Sequence, residues 1–554
     1  MTEPIKMIEI FSGIGAQEKS TTRMPMPFEV IATMDVDKDA ILSYAAMRYD
    51  LEKEMETYEF PSKEQMISEL QAKNVGYDFE KSKHTITMKT KEEKVKQYYI
   101  ADKLSKNLGD VSLQKSLPYA DIVCHTSPCQ DYSLAGKGAG GDEGSGTRSS
   151  LMFESLRLIE TSQPKYVLWE NVAAVLTPKH RHNFIKYLEK LSELGYENAF
   201  DLLNGKNYGI PQNRLRIFCV SRKIDPNDTT VRNIDDMPKS SNKQVESTMK
   251  EIRNNPNIRM WVDYKMPETI PLTTRLKDIL EKDVPEKYYL PDDRIEKILN
   301  SSFMQEKKRI QMTEDINPIR IGGLYDDENR HKQAGSIFDK DAISPALTTM
   351  EGGNRQPLVV DEIKIVGNYM PSGHDASRVV DIDGIAPTVK ENHGTVTAIA
   401  EPIIYDDYNS RISTDQDAIN TLTCNCGASA ERNGVKILEP IVCEERKDEG
   451  LRFFKDDCVG TLRTIDSCGD KRVLELLNVI WRIRKLMPIE CWKLMAFSRS
   501  DHNKASKFVS NSALYKQAGN SIITNCLTAL MCSLFIEDGY KAEVWTKYVP
   551  NIED

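Results

Sequence analysis

Four apolar runs in this 554-residue chain each stop at a turn, and each turn carries groups capable of chemistry. IKMIEIFSGIGA at residues 5–16 reads as a short buried strand running into a Gly-rich turn. The run from Phe28 to Met34 ends in Asp35 and Asp37, and Ile122-Val123-Cys124-His125 leads through Ser127-Pro128 to Cys129. Tyr166-Val167-Leu168-Trp169 leads to Glu170 and Asn171. Helical patterns (DAILSYAAMRY, LMFESLRLIETS) accompany them, so the alternation is that of an open α/β sheet. Ligands of such sheets bind in the crevice beyond the carboxyl ends of the strands, which makes the residues at these turns the candidates for function.

Each candidate has two readings. A thiol held at a strand end, as Cys129 is, suits a nucleophile; a buried structural cysteine is the commoner alternative. Gly13 and Gly15 let the backbone approach a ligand, or only make a turn. Asp35 stands where nucleotide-type folds bind ribose hydroxyls, or caps the helix that follows. Leu108-Gly109-Asp110-Val111 supplies another turn with an acid. LAGKGAGGDEGSGTRSS, directly after the cysteine strand, reads as a loop that closes over substrate, or as a plain linker. A hairpin from Asn207 to Ile217 carries Arg214 and Arg216, which share one face if they lie in a strand. Tyr515 to Ile522 reads as a turn into a helix, with Asn520-Ser521 as its N-cap.

The length suggests roughly three domains. Residues 50–100, rich in Lys and Glu, look like a solvated and largely helical insertion without chemistry. From about residue 223 the strand–helix rhythm stops until about 476. Within that span a weak repeat recurs as AISPALT (342–348), GIAPTV (384–389), AINTLT (418–423) and CVGTLR (458–463). It reads as a β-rich domain of repeated hairpins, with a folding repeat of no binding function as the alternative. Cys424 and Cys426 in this span complete no zinc spacing, so no metal is expected. Eleven cysteines, an odd number in a long chain, argue for a reducing compartment. No apolar run reaches membrane-spanning length and no signal peptide pattern opens the chain, so a cytoplasmic protein is expected. A net charge of −10 argues against a protein that coats nucleic acid generally, but not against a local basic cleft.

In order, FSGIG (11–15), MDVDKDAILSY (34–44), GDV (109–111), SPCQ (127–130), ENV (170–172), PQNRLR (211–216), RKLMPIECWKLMAFS (484–498) and QAGNSI (517–522) resemble the motifs of the DNA cytosine-5 methyltransferases of bacteria and phages. The resemblance implies a discontinuous Rossmann-like α/β catalytic domain that uses S-adenosyl-L-methionine, made of residues 1–222 and 477–554. It places an inserted target-recognition domain, β-rich and repeat-containing, on 223–476. It makes Cys129 the nucleophile that attacks carbon 6 of a cytosine flipped out of double-stranded DNA. Glu170 becomes the acid at ring nitrogen 3, and Arg216 with Arg214 the stabilisers of the ring oxygen and catalytic loop.

For the cofactor, the resemblance puts Phe11 against the adenine, with Ser12, Gly13 and Gly15 near the methionine part. Asp35 with Val36 falls on the ribose and Asp110 with Val111 on the adenine amine. Pro128, Asn520 and Ser521 complete the cofactor set. A monomer acting at the bacterial nucleoid is implied, with a cognate restriction endonuclease encoded nearby but not stably bound. This chain departs from the family in having Asp at 35 where Glu is usual, Val36 where a bulkier apolar residue is frequent, Leu215 between the arginines, and His125-Thr126-Ser127 before Pro-Cys-Gln. Two other readings share some features. An RNA cytosine methyltransferase would carry a smaller recognition region, and a decayed, non-enzymatic DNA-binding protein would have lost Cys129, Glu170 or the arginines.

Overall fold

The computed structural model describes residues 3–128, 151–225, 227–228, 234–237, 239–240, 242–289, 317–323, 335–340, 342–350, 356–368 and 479–553, with short strands between 378 and 473. The chain divides into two compact units: Met1–Val284 with Ile298–Val359 and Lys485–Asp554, and Pro285–Lys297 with Val360–Arg484.

In the larger unit the chain runs β1 (Ile5–Ile10), α1 (Ala16–Thr21), β2 (Phe28–Met34), α2 (Lys38–Arg48), α3 (Leu51–Thr57), α4 (Lys63–Ala72), β3 (Tyr77–Asp78), β4 (Lys83–His84) and α5 (Glu92–Leu104). It continues as β5 (Ile122–His125), α6 (Leu151–Ser162), β6 (Tyr166–Val172), α7 (Arg181–Glu193), β7 (Tyr196–Asn204), β8 (Gln212–Asn213), β9 (Leu215–Lys223) and α8 (Lys243–Arg253). Six strands form one sheet in the order β2-β1-β5-β6-β9-β7. β2, β1, β5 and β6 are parallel, and β9 and β7 close the sheet antiparallel. This is the Rossmann-like arrangement expected. β5 is buried at every position and β6 at all but its last, as strands covered on both faces must be.

The core beneath β6 is aromatic: Trp169, Phe184, Tyr187 and Tyr196 are all fully buried. Each contributes about 1.5–3 kcal/mol by leaving water. The body of the larger unit extends past residue 222 because α8 buries Val245, Met249 and Ile252 in that same core. Ser344–Pro345 adds to it by pairing with β8.

The segment 50–100 is helical as expected but not merely solvated. Leu51, Met66, Leu70, Val95 and Tyr99 close a second hydrophobic core with Leu42 of α2. Each helix offers only one short apolar stripe, so the core shows only once they pack together.

Four antiparallel pairs recur where repeated hairpins were expected: Arg320–Gly323 with Ser336–Phe338, Leu358–Asn368 with Arg378–Asp381, Ile404–Asp406 with Arg411–Ser413, and Val442–Arg446 with Gly450–Phe454. The second strand of each directly precedes one of the recurring segments. Of those segments, 384–389, 418–423 and 458–463 lie outside the described residues, as do Cys424 and Cys426.

One local expectation is corrected. Asn520-Ser521 does not begin a helix; it ends one. The helix Asn511–Asn520 starts from Ser510, whose hydroxyl accepts the Ala513 N–H, and Ser521 follows its last turn. The next helix, Thr524–Phe535, has Ile523 at its N-cap and no side-chain cap. Gly519 sits late in the first helix because the Thr348 carbonyl oxygen lies 2.0 Å from where a β-carbon would be.

Candidate active site

Strand register lines up the candidate residues. Ile10 pairs with Met34 and with His125, and His125 pairs with Trp169. The residues immediately after these, Phe11, Asp35, Thr126 and Glu170, therefore form a row along the carboxyl edge of four neighbouring strands. The sheet order reverses at β1, so the row lies at a topological switch point, where open α/β sheets take ligands.

At one end of the row, Phe11 adopts the left-handed region (φ 59°), and its carbonyl accepts the Thr126 hydroxyl at 3.1 Å. Ser12 is buried, and its N–H meets the Met34 carbonyl at 3.1 Å. The two glycines of the turn do different work. A β-carbon on Gly13 would meet nothing within 4 Å, so Gly13 faces open space. One on Gly15 (φ 75°) would lie 2.3 Å from Arg48 Nη2 and 2.4 Å from the Tyr44 ring. Arg48 also donates to the carbonyls of Ile14 and Gly15, bracing the turn from behind. Gly15→Ala is therefore expected to cost about 2 kcal/mol, through overpacking and a disfavoured φ. A lowered melting temperature checks this; an unchanged one would show that Tyr44 and Arg48 yield freely.

Of the two roles foreseen for Asp35, helix capping falls instead to Asp37. Asp37 caps α2, accepting the N–H groups of Asp39 and Ala40. Asp35 accepts the Gly13 N–H and the Asp37 N–H, each at 2.8 Å, which ties β2 to the glycine turn. Burial pushes its carboxyl up to about 6, with the Asp37 charge adding and these N–H donors opposing. Asn107, which no motif singled out, joins this acid to the next. Its side chain accepts from Asp35 N (2.9 Å) and Gly109 N (3.2 Å) and donates to Asp35 O (3.1 Å). Asp110 beyond it is 6% exposed, and Val111 is buried.

At the other end of the row, Glu170 is 7% exposed. Across the β6–β9 ladder Glu170 faces Phe218 and Val172 faces Arg216, so Glu170 and Arg216 are diagonal neighbours. Arg216 Nε lies 3.3 Å from the Glu170 carboxylate. Burial nevertheless raises the Glu170 pKa, outweighing the opposing pull of Arg216 and Arg214. A raised pKa favours the protonated carboxyl, the form that can donate to a bound base.

Next to Glu170, Asn171 donates to the Ser127 carbonyl (3.0 Å) and hydroxyl (3.2 Å). This fastens the Ser127-Pro128 turn to β6. Cys129 and the Gly-rich stretch after it lie outside the described residues. His125, the unusual residue before this turn, is structural. It is fully buried with Nε2 2.8 Å from the Tyr187 hydroxyl, and burial lowers its pKa to about 3, so it stays neutral.

The two arginines part company. Arg214 lies between β8 and β9 rather than within a strand, and it is 4% exposed. Its guanidinium donates to the carbonyls of Leu347 (2.9 Å), Gly519 (2.9 Å) and Ser521 (2.7 Å). Gln517 joins the same C-terminal segment to α2, donating to the Asp39 carbonyl and accepting from the Ser43 hydroxyl. Ser521 is buried here, whereas Asn520 is exposed.

Comparison with known proteins gives a consistent picture. The model of the C-5 cytosine-specific DNA methylase family matches residues 65–535. The orphan methyltransferase M.Rho11sI of Bacillus phage rho11s is 29% identical over 555 residues, covering 96% of this chain and 97% of its own length. The type II methyltransferase M2.ScrFI of Lactococcus lactis subsp. cremoris is 33% identical over 293 residues, 52% of this chain and 71% of its own. The orphan methyltransferase M.SssI of Spiroplasma monobiae is 27% identical over 412 residues, 70% of this chain and 92% of its own.

Proposed function

This chain belongs to the C-5 cytosine-specific DNA methylase family, and from that premise we propose that Cys129, Glu170 and Arg216 carry the methylation of a cytosine flipped out of duplex DNA. The enzyme is a DNA cytosine-5-methyltransferase that depends on S-adenosyl-L-methionine. The observation that carries the residue assignment is the pair of buried Glu170 with half-buried Arg216, one residue before the asparagine that anchors the turn leading to Cys129.

The residues at this edge of the sheet suit the cofactor. Gly13 opens on unfilled space, an acid ends β2, and a second acid follows at Asp110. Bound S-adenosylmethionine supplies an electrophilic methyl group on a sulfonium. Phe11, Ser12 and Gly13 would flank it, with Gly15 shaping their turn from behind. Asp35 and Val36 would meet the ribose, and Asp110 and Val111 the adenine with its exocyclic amine. Pro128, Asn520 and Ser521 complete the pocket.

On the reaction side, the Cys129 thiolate forms a bond to carbon 6 of the ring while Glu170 passes its proton to nitrogen 3. That makes carbon 5 enamine-like and able to take the methyl group. Arg216 stabilises the ring oxygen through the step, and Arg214 positions the C-terminal turn beside it. A base then removes the carbon 5 proton, the carbon–sulfur bond breaks, and the nitrogen 3 proton returns to Glu170. The base must leave the helix to reach these groups.

The repeated hairpins of 223–476 would read the target sequence. Because a relative that matches almost end to end is named an orphan methyltransferase, we favour an enzyme without a dedicated endonuclease. Its modification would still protect DNA from any endonuclease reading the same site.

Fluorine at carbon 5 cannot leave as a cation, so duplex DNA carrying 5-fluorocytosine should hold the enzyme covalently. Incubation with the methyl donor is expected to give a denaturation-resistant protein–DNA band that Cys129→Ser lacks. A band of equal strength from that variant would remove Cys129 from the nucleophile role. Labelled methyl found in tRNA alone would overturn the DNA reading.

A further inference from the structure

The segment 50–100 carries no recognised motif, yet it contacts Asp110 directly and the neighbourhood of Asp35 through Val36 and Asn107. We propose that Asn74, in this segment, is a positioning residue that aims the Asp110 carboxylate and so sets the selectivity of the pocket for a purine bearing an exocyclic amine. The inference rests on the assignment of Asp110 to the adenine.

The Asn74 amide donates to Asp110 Oδ2 at 2.8 Å. Asp110 Oδ1 accepts the Ser112 N–H at 2.9 Å and the Ser112 hydroxyl at 2.8 Å. A carboxylate offers about four acceptor directions, so these three donors hold its plane and leave one direction, on Oδ2, for a ligand N–H.

The main chain is gripped at the same place. The Asp110 N–H donates to the Lys73 carbonyl at 3.0 Å, and the Gly76 N–H to the Val36 carbonyl at 2.8 Å. A β-carbon on Gly109 (φ 83°) would sit 2.3 Å from that Lys73 oxygen, so only glycine admits the contact. Lys73 Nζ donates to Asp102 and to the Asn107 carbonyl, each at 2.7 Å, and Asn107 holds Asp35. The segment thus spans from the ribose acid to the adenine acid. Asn74 itself is left-handed (φ 59°), a conformation asparagine tolerates better than most residues.

A carboxylate held this way accepts from an amine and repels a carbonyl oxygen. Discrimination by a fixed polar partner is large, and it falls when that partner can turn away. The test measures binding of S-adenosylhomocysteine and of its inosine counterpart, which has oxygen in place of the amine. The full-length proteins compared are wild type, Asn74→Gly, Asn74→Asp and Asp110→Ala, each melted to confirm folding. Glycine keeps the left-handed backbone and removes only the amide.

For Asn74→Gly, binding of S-adenosylhomocysteine is expected to weaken about tenfold, and its preference over the inosine counterpart to shrink by a similar factor. Its KM for the methyl donor should rise while kcat stays within about twofold of wild type. Asn74→Asp, which sets an anion against Asp110, should lose more. If Asn74→Gly keeps the wild-type preference, whether or not both ligands bind more weakly, while Asp110→Ala loses it, the role given to Asn74 is wrong and that of Asp110 stands. If Asp110→Ala also keeps the preference, the adenine assignment falls and takes this inference with it.

Discussion

Glu170→Gln is expected to lower kcat by about 10²–10⁴-fold, the usual worth of a positioned acid. Binding of S-adenosylmethionine should be unchanged, since the network that joins Asp35 through Asn107 to Gly109 does not include Glu170. The pH dependence follows from the direction of the shift. Burial raises the Glu170 pKa against the pull of Arg216, and the proposed reaction uses the protonated form. Wild-type kcat should therefore fall as pH rises through that raised value, and the glutamine variant should lack this alkaline limb.

Stability follows pH in the same direction. The folded protein holds the Glu170 proton more tightly than the unfolded chain does. The stabilisation this gives is present in full below about pH 4.3, the unfolded value, and is lost as pH rises through the folded one. Glutamine has no proton to lose, so the variant should melt above wild type at pH 8, with the gap closing towards pH 4. A glutamine variant within about threefold of wild-type kcat at every pH would exclude Glu170 as the proton donor.

Arg214→Ala should act chiefly on folding. Truncation leaves the buried carbonyls of Leu347, Gly519 and Ser521 without their guanidinium donors, which predicts a loss of about 3 kcal/mol or more. Arg214→Lys should recover part of it, because one ammonium cannot reproduce the planar fork. Arg216→Ala removes a half-buried group and should shift stability by less than about 1 kcal/mol, while lowering kcat about a hundredfold. Urea unfolding and methyl transfer on the three variants separate the cases. Wild-type unfolding of Arg214→Ala with abolished turnover would move Arg214 from positioning to direct contact with the substrate.

The two arginines show where reading the chain stops. Their spacing put both on one face of a strand, but only Arg216 lies in one, although both act on Glu170. Nothing local to PQNRLR distinguishes the one that faces Glu170 from the one bound to carbonyls 133 to 307 residues away. The same holds for Gly13 and Gly15, identical in the motif. One faces open space, whereas Tyr44 and Arg48 of α2 fill the space beside the other. His125 looked like a departure near the nucleophile and is instead a neutral core residue against Tyr187.

What the sequence by itself determined is the set of parts. The apolar runs specify which segments become strands, and the residue after each run becomes the chemistry at the sheet's edge, because strand and turn preferences act over a few residues. The family and its reaction follow from that ordered set. The tertiary structure alone decided the partners: the tie from Asp35 to the Gly13 turn, the closure of the C-terminal motif onto Arg214, and the reach of Lys73 and Asn74 to the Asp110 turn. These are hydrogen bonds across tens to hundreds of residues, whose geometry exists only once both cores have packed. Side-chain identity lists which donors and acceptors are available; folding selects which of them meet.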